Sequence, residues 1–173
     1  MQTKICACLS MTIDGYIADQ DNSVDYLYKV EGEGDNGYSD FYKDVDLIIM
    51  GGNTLRWLLD NGVRENPYKD KSVIIVTSEA IALDWEVAFC SNLDELKEIF
   101  DDYIKVWVVG GGQLISTMLN EQMINRLFVT IAPIILGDGV PLFKDVDQSI
   151  ELKVMDVKQY NQFVELDYTV EYK

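Results

Sequence analysis

Three consecutive glycines, Gly110–Gly112, stand between two segments with different apolar patterns. Residues 103–109 form an apolar run rich in β-branched side chains, which predicts a buried strand. From Gln113 to Leu119 the apolar residues recur at helical spacing, which predicts a helix. Glycine lets a backbone approach a ligand closely, and the unpaired N–H groups of a first helical turn attract an anion. The pattern is therefore typical of a phosphate-binding turn, although a tight structural turn would have the same sequence.

Other phosphate-binding patterns do not fit this turn. Ile115 stands where the dinucleotide fingerprint G-x-G-x-x-G has its third glycine, and no Gly-Lys-Ser/Thr follows as in the Walker pattern. A second unit of strand, glycines and helix occurs earlier, where the apolar run Val45–Met50 is followed by Gly51-Gly52-Asn53-Thr54. We interpret Asn53 or Thr54 as the cap of that helix. Two such units fit a dinucleotide, which has a pyrophosphate and further polar groups to hold.

Thr77 and Ser78 follow a third buried run, Ser72–Val76. Hydroxyl groups at the carboxyl end of a strand in an open α/β sheet are placed to contact a ligand. Capping of the next turn by these hydroxyl groups is an equally good alternative.

Composition excludes several classes of function. The chain has 173 residues, of which 48% are apolar and 25% charged, so we expect residues 1–173 to form a single domain. The formal net charge of −16 argues against nucleic-acid and membrane partners, because their phosphates need a basic face. No apolar segment of membrane-spanning length and no signal-peptide pattern occurs, which predicts a cytoplasmic protein.

The content of histidine and cysteine limits the possible chemistry. The chain contains no histidine, which excludes Ser-His-Asp and Cys-His catalysis, and we predict no metal site. Cys6, Cys8 and Cys90 are an odd count that fits a reducing cytosol rather than a disulfide framework. We interpret them as small core residues.

The elements that position these residues begin as strand–helix units and end as antiparallel strands. A long acidic loop is expected at Asp19–Asp40, and Asn92 is expected to cap a helix. This order predicts an α/β fold with a mixed, mostly parallel sheet, helices on both faces and a C-terminal antiparallel hairpin. The expected strands are Lys4–Met11, Val45–Met50, Ser72–Val76, Trp85–Phe89, residues 103–109, Leu127–Ile135, Ile150–Val157 and Phe163–Glu171.

Four blocks of the chain together resemble the dihydrofolate reductase superfamily. More closely, they resemble the branch that contains the reductase domain of the riboflavin-biosynthesis deaminase–reductase. The blocks are Ser10–Ala18, Asp46–Thr54, Val108–Leu114 and Leu127–Phe143, and the last is the most specific. The resemblance covers nearly the whole chain and implies a three-layer, dihydrofolate-reductase-like fold.

The resemblance implies NADPH as the cofactor and gives both glycine units a role. Ser10 and Ile17 would flank the nicotinamide, and Thr77 and Ser78 would lie near the adenosine ribose. The positions implied for the cofactor are Ser10, Ile17, Gly51, Gly52, Asn53, Thr54, Thr77, Ser78, Val109, Gly110, Gly111, Gly112, Gln113 and Leu114. Asp35 and Thr130 correspond to the catalytic carboxylate and its supporting threonine, although a solvated loop residue is the alternative for Asp35.

The chain departs from the family at two phosphate sites. Folate reductases usually have arginine at the position of Gly52, where it pairs with the 2′-phosphate of NADPH. Arg56, Lys69 or Lys71 would have to reach that phosphate here, so we expect only a modest preference over NADH. The arginines that hold a phosphoribosyl substrate in the riboflavin branch are also missing from the corresponding neighbourhoods.

We therefore expect an NAD(P)H-dependent reductase of a small heterocycle of the pteridine or pyrimidine type. A dinucleotide-binding module without catalytic activity is the alternative. The last expected strand has apolar side chains on both faces, more than a solvent-facing edge needs, which predicts a homodimer. These side chains are Phe163, Val164, Leu166, Tyr168 and Val170.

Overall fold

One eight-stranded sheet organises the computed structural model, which describes residues 3–173. Its strands are β1 (Lys4–Thr12), β3 (Leu47–Gly51), β4 (Ser72–Val76), β5 (Ala88–Cys90), β6 (Lys105–Gly110), β7 (Arg126–Ala132), β9 (Glu151–Tyr160) and β10 (Phe163–Glu171). A separate pair consists of β2 (Tyr16–Ala18) and β8 (Val140–Pro141). The helices are α1 (Tyr38–Tyr42), α2 (Gly52–Asp60), α3 (Leu93–Ile99) and α4 (Gly112–Asn120), with 3-10 turns at Asp25–Lys29 and Phe100–Asp102. Within residues 3–173, no helix combines the length and apolar character needed to cross a membrane.

The strand order in the sheet is β5-β4-β3-β6-β1-β7-β10-β9. Neighbours from β5 to β7 run parallel, whereas β10 is antiparallel to both β7 and β9. The central strand β3 is buried along its whole length, as a parallel strand covered on both faces requires. This confirms the expected α/β fold with a mixed, mostly parallel sheet and a C-terminal antiparallel hairpin.

Helices cover both faces of the sheet, each over its own apolar core. On the face covered by α3 and α4, called the α4 face, Ile115 and Met118 pack with alternate residues of the central strands. On the opposite face, called the α2 face, Leu55 of α2 packs with the strands. Successive side chains of a strand point to opposite faces of the sheet. Val106 of β6 therefore packs in the core of the α4 face, and Trp107 packs in the core of the α2 face.

Several strand boundaries differ from the expectation, and in two places part of an expected strand is a loop. The strand expected at Trp85–Phe89 forms later, as β5, because Trp85 is a buried loop residue that packs on the α2 face. The strand expected to continue to Ile135 ends at Ala132, whose carbonyl accepts a hydrogen bond from the N–H of Ile134 in a tight turn. In both places apolar residues pack a loop against the core instead of extending a strand.

The acidic loop before α1 is held against the domain by two aromatic side chains. Tyr26 is buried, and its hydroxyl donates to the carbonyl of Ile17 at 3.2 Å. Trp57 of α2 donates through Nε1 to the carbonyl of Asn22 at 2.8 Å. These contacts anchor the loop beside β2, where the nicotinamide end of the cofactor is expected.

Strand β9 is the free edge of the sheet, and its apolar residues are exposed. Leu152, Val154 and Val157 stand opposite residues of β10 that point to the α4 face. Their exposed fractions are 41%, 53% and 56%. The last strand, from which the homodimer was predicted, is not a sheet edge, because β10 pairs with β7 on one side and β9 on the other. Phe163 of β10 is buried in a core cluster.

Gly112, the first residue of α4, closely approaches another segment of the chain. A Cβ atom at this position would lie 2.7 Å from the carbonyl oxygen of Leu142 and 2.9 Å from that of Pro141. We therefore expect Gly112→Ala to lower the free energy of unfolding in urea by about 1–3 kcal/mol, the usual cost of overpacking. Gly111→Ala is the matched control, because its nearest neighbour would be Thr54 Oγ1 at 3.4 Å. Equal losses in both variants would contradict the role of this contact.

Candidate functional site

The two glycine units lie side by side at the carboxyl ends of β3 and β6. These strands are parallel neighbours, and Met50 stands opposite Gly110 where they end. A Cβ on Gly51 would lie 3.3 Å from the carbonyl oxygen of Gly110, and a Cβ on Gly111 would lie 3.4 Å from Thr54 Oγ1. The structure thus brings together the two units that the sequence singled out. Glycine keeps the narrow space between them free of side chains.

The chain changes direction at this junction. From β3 it passes through α2 to β4 on one side, and from β6 it passes through α4 to β7 on the other side. The two helices also lie on opposite faces of the sheet. Open α/β sheets bind ligands in the crevice that such a reversal leaves at the carboxyl ends of their strands.

Among residues 3–173, no side chain caps either helix N-terminus at this crevice; the N-cap residues are Gly51 for α2 and Gly111 for α4. The expected cap by Asn53 or Thr54 is wrong, because Asn53 Oδ1 accepts a hydrogen bond from Arg56 Nη2 at 2.7 Å. The first-turn N–H groups therefore keep their capacity to bind an anion. The residues present fit the pyrophosphate of a dinucleotide.

The remaining residues of the second glycine unit surround the start of α4. Val109 and Leu114 are half-buried, and Gln113 is exposed. The Cβ of Leu114 lies 3.7 Å from a Cβ placed on Gly51, so this side chain bridges the two units. The unit therefore presents two half-buried apolar side chains, one on each face of the sheet, and one exposed polar side chain.

A pair of opposite charges marks one end of the crevice. Thr77 follows β4, and its Oγ1 lies 2.8 Å from a Cβ placed on Gly52, so an arginine does not fit at that position. Arg56, one turn into α2, donates through Nη1 to Glu79 Oε2 at 2.7 Å. Ser78 is exposed. A guanidinium therefore lies near Gly52, and a carboxylate is bound to it.

The two lysines considered for the 2′-phosphate lie at the other end of β4. Lys71 precedes this strand and Thr77 follows it, a separation of about 20 Å at the usual rise per residue. Lys71 Nζ lies 4.8 Å from the ring centroid of Tyr42, and Lys69 Nζ lies 3.8 Å from Glu65 Oε2. The expectation that either lysine reaches the end marked by Thr77 is therefore wrong.

The opposite end of the crevice is formed by β1 and the small sheet of β2 and β8. Ser10 stands on β1 opposite Thr130 of β7, and both strands end close to this point. Ile17 is the middle residue of β2 and is half-buried. The N–H of Leu142 donates to the carbonyl of Gly15 at 2.9 Å, which joins the first and fourth sequence blocks.

Asp14 has a structural role that the sequence reasoning did not single out. Its carboxylate accepts hydrogen bonds from Thr12 Oγ1 at 2.6 Å and from the N–H groups of Gly137 at 2.8 Å and Leu136 at 3.2 Å. These bonds, the one from Thr12 above all, hold the pKa of Asp14 below its usual value. A single carboxylate thus fixes the loop after β1 against the loop after β7.

Asp35 and Thr130, the two implied catalytic residues, lie in different settings. Asp35 is exposed, and its carboxylate accepts hydrogen bonds from the N–H groups of Gly37 at 3.1 Å and Ser39 at 2.9 Å. Hydrogen bonds from Ser39, side chain and backbone, lower the pKa of Asp35. Thr130 is buried on β7, between β1 and β10. The catalytic role of Asp35 stays a prediction, while its carboxylate orders the start of α1.

Glu165 is a buried carboxyl group that the sequence reasoning did not single out. It lies on β10 directly opposite Thr130 of β7 and Lys158 of β9. Only 9% of its surface is exposed, and this burial raises its pKa despite the opposing charge of Lys158. The available signal was strand alternation, since Glu165 shares a face of β10 with the buried Phe163.

Aromatic side chains cover the α2 face of β6 toward the amino ends of the strands. Trp107 is surrounded by four rings whose centroids lie 5.5 to 6.2 Å from its own; these belong to Tyr38, Phe41, Tyr42 and Tyr68. Trp107 Nε1 donates to the carbonyl of Cys8 at 3.3 Å, which orients the indole. The cluster provides flat surfaces of the kind on which heterocyclic rings stack.

Comparison with known proteins relates the chain to one family. Residues 66–166 match the family described as RibD C-terminal domain. The uncharacterized protein YwjB of Bacillus subtilis strain 168 is 34% identical over 97% of this chain and 98% of its own length. The uncharacterized protein YyaP of the same organism is 27% identical over 94% of this chain and 92% of its own length.

Solved structures share the fold. A putative riboflavin biosynthesis protein from Shewanella sp. PV-4 has a TM-score of 0.86 at 24% identity and covers 98% of this chain and 100% of its own. The diaminohydroxyphosphoribosylaminopyrimidine deaminase/5-amino-6-(5-phosphoribosylamino)uracil reductase of Thermotoga maritima has a TM-score of 0.69 at 18% identity, over 97% of this chain and 56% of its own. Dihydrofolate reductase from Enterococcus faecalis, complexed with NADP(H) and RAB-propyl, has a TM-score of 0.67 at 13% identity. The match covers 98% of this chain and 97% of the reductase. These likenesses confirm the dihydrofolate-reductase-like fold.

Proposed function

The chain belongs to the RibD C-terminal domain family, and we propose on that basis that it is an NADPH-dependent reductase of a small heterocyclic compound. The observation that carries the proposal is the junction of the two glycine units. There, two helix N-termini without side-chain caps among residues 3–173 open onto one crevice at the carboxyl ends of parallel strands. A dinucleotide is the proposed ligand, because two such helix starts can hold its pyrophosphate.

Backbone groups supply most of the proposed attraction for the cofactor. The net charge of −16 gives no general field that would draw phosphates to the protein. N–H groups at the starts of α2 and α4 attract an anion locally without adding a formal charge. The Thr54 hydroxyl, which lies beside Gly111, provides a further donor at the same point.

Positioning is the main task of the protein in the proposed reaction. When bound, NADPH supplies the hydride that reduces the heterocycle. Ser10 and Ile17 would flank the nicotinamide, and the Asp14 hydrogen bonds hold the segments that carry them. Rigid placement of the two reacting rings accounts for much of the rate in such reactions.

A pteridine or pyrimidine compound is the proposed substrate class. The aromatic cluster around Trp107 lies on the same face of the sheet as Ser10 but toward the amino ends of the strands, so the family likeness rather than this cluster supports a ring compound. The Thermotoga maritima protein is named as a reductase of a substituted uracil, which is a pyrimidine.

A dinucleotide-binding module without catalytic activity is the second candidate. The observation in its favour is that Asp35, the implied proton donor, is exposed and has a lowered pKa. Such a carboxyl group is ionised at neutral pH and has no proton to give.

Turnover of a substrate panel tests the proposal. We expect the protein to oxidise NADPH, followed by its absorbance in stopped flow, with at least one oxidised pterin, flavin or deaminated pyrimidine. Gly111→Val should weaken NADPH binding at least tenfold in calorimetry, because its side chain would enter the space beside Thr54. NADPH binding without turnover of any panel member would support the binding module. Unchanged affinity in folded Gly111→Val would contradict the pyrophosphate site.

The Arg56–Glu79 pair sets the expected preference between the two nicotinamide cofactors. A 2′-phosphate near Thr77 would meet the guanidinium of Arg56 and also the carboxylate of Glu79, 2.7 Å from it. We expect NADPH to be preferred over NADH by less than about tenfold, because exposed ion pairs contribute about 1 kcal/mol or less.

Glu79→Gln should tighten NADPH binding a few-fold and leave NADH binding unchanged, since it removes a charge that repels only the 2′-phosphate. Arg56→Gln should weaken NADPH binding a few-fold, because it removes the charge that attracts the 2′-phosphate. Dissociation constants at low and high salt measure both changes, which should shrink in high salt because exposed charges are screened. A strong preference for NADPH that persists in high salt would contradict this assignment.

We also propose that the chain forms a homodimer through β9. The exposed Leu152, Val154 and Val157 make an apolar stripe along an edge strand, which soluble proteins normally avoid. A two-fold axis would cover the stripe of both copies at once.

Val154→Asp should shift the protein to a monomer at micromolar concentration in sedimentation velocity, because it places a charge in the apolar contact. Ile104→Asp is the matched control, since Ile104 is 70% exposed and lies before β6, away from the stripe. This control should remain dimeric. A monomeric wild-type protein, or equal dissociation of both variants, would contradict the interface.

A further inference from the structure

Among residues 3–173, Glu165 is the only acidic residue that is buried. We propose that Glu165 donates the proton that completes the reduction of the heterocycle, a role that rests on the proposed function. The position of this carboxyl group in the sheet supports the role, and so does its burial, which raises its pKa.

Glu165 lies in one row with two residues of the candidate site. Ser10 on β1 stands opposite Thr130 on β7, and Thr130 stands opposite Glu165 on β10. Residues directly opposite each other on neighbouring strands project to the same face, so all three side chains point the same way. The backbones of Ser10 and Glu165 are two strand spacings apart, which is about 10 Å. A ring compound beside Ser10 therefore lies within reach of the glutamate side chain.

The negative charge of Glu165 affects the pKa of a thiol on β1, on the side of the sheet where the substrate is proposed to bind. Cys8 precedes Ser10 by two residues and shares its face of β1. Burial, with the Glu165 charge as the next cause, raises the pKa of the Cys8 thiol to about 12. The carboxyl group and β1 thus face the same interior region.

Glu165 has a higher pKa than an ordinary glutamate, so it keeps its proton to a higher pH. Burial is the largest cause of its raised pKa, and Asp167 and Asp156 add to it, whereas Lys158 opposes it. The titratable and charged groups near it are Cys8 on β1, Lys158, Asp156 and Tyr160 on β9, and Asp167 on β10, with Asp35 and Asp40 acting on Tyr160 from the α1 side. Asp167 is itself paired with Arg126 of β7 at 2.6 Å, so burial rather than neighbouring charge accounts for most of the raised pKa of Glu165.

Asp35 lacks these properties. Its carboxylate is exposed and accepts hydrogen bonds that favour the charged form. A general acid needs the opposite setting, with a proton retained near the working pH and a position inside the site. Glu165 is buried and its pKa is raised by that burial, and its cross-strand partner is Thr130, the threonine implied to support the catalytic carboxyl group.

The proposed step reduces a C=N bond of the heterocycle. The carbon gains a C–H bond and two electrons from NADPH, which is oxidised to NADP⁺. The electrons of the C=N π bond move to the nitrogen, which forms an N–H bond with the proton of the Glu165 carboxyl group. The Glu165 O–H bond breaks in this transfer, and the resulting carboxylate regains a proton from water.

Turnover over a range of pH tests this role in the full chain. With a substrate found in the panel, wild-type kcat should fall as the pH rises through the raised pKa of Glu165. Glu165→Gln should lower kcat at neutral pH at least about 100-fold, the usual contribution of a general acid. Its dissociation constant for NADPH should stay within about twofold of the wild-type value. Glu171→Gln, the same change on an exposed residue of the same face of β10, should leave kcat within about twofold.

Two further measurements separate a proton donor from a structural residue. Glu165→Asp keeps a carboxyl group, so it should retain more activity than Glu165→Gln and keep the fall of kcat at high pH. In carbon-13 NMR of the protein without substrate, the Glu165 carboxyl should titrate above an ordinary glutamate. Lys158→Gln should move that titration and the fall of kcat to higher pH, because it removes the opposing charge.

The outcomes distinguish this role from the proposed function. NADPH binding without any turnover by the wild-type protein would overturn the function and this role together. Turnover that Glu165→Gln leaves unchanged would overturn only the role of Glu165. Equal losses in Glu165→Gln and Glu165→Asp, or a Glu165 titration at or below that of ordinary glutamate, would also overturn it.

Discussion

The close approach of Gly51 to Gly110 is the contact on which the candidate site depends. A Cβ atom on Gly51 would lie 3.3 Å from the carbonyl oxygen of Gly110, and that spacing leaves little room for a side chain. Because β3 and β6 can end side by side, α2 and α4 start from the same point although they cover opposite faces of the sheet. Two helix dipoles then converge on one crevice, which a single glycine turn would not achieve.

Hydrogen bonds from distant parts of the chain close the other end of this crevice. Asp14 binds the backbone of Gly137, and Gly15 accepts a hydrogen bond from Leu142, whose carbonyl also limits the space at Gly112. The loops after β1, β6 and β7 are therefore coupled through contacts of a few atoms. The structural effect of a substitution in one loop therefore reaches the other loops through these packing contacts.

Local signals in the sequence were sufficient for most of the fold. Continuous apolar runs identified the buried parallel strands, and the side chain of Asn92 caps α3 as expected, accepting from Asp94 and Glu95 at 3.0 and 3.1 Å. Gly62, just after α2, has φ of +84°, the left-handed conformation that favours glycine at the end of a helix. Each of these features depends on residues within one or two turns of the chain. The sequence alone therefore contains the information needed to place them.

Most of the features that were missed depend on distant partners, although the contact of Asn53 with Arg56 that replaces the expected cap of α2 is local. β10 is enclosed because it pairs with the distant strand β7 as well as with its hairpin partner β9. Glu165 looked like an ordinary charged residue of a β-strand until its pairing with β7 placed it beside Thr130. Strand alternation restricts Glu165 to one of two faces, but only the register between strands decides which neighbours it has.

The two ends of the crevice have separate physical tasks. Backbone N–H groups at the glycine junction would bind a pyrophosphate whether or not the ribose carries a 2′-phosphate, so they would not select between NADPH and NADH. In the proposed function, selection requires a charge at the ribose, where Arg56 and Glu79 are expected to act. The proposed proton transfer uses a buried carboxyl group with a raised pKa, which is that of Glu165. Cofactor choice and chemistry would thus depend on residues that do not touch each other, and such distant sites generally respond independently to mutation.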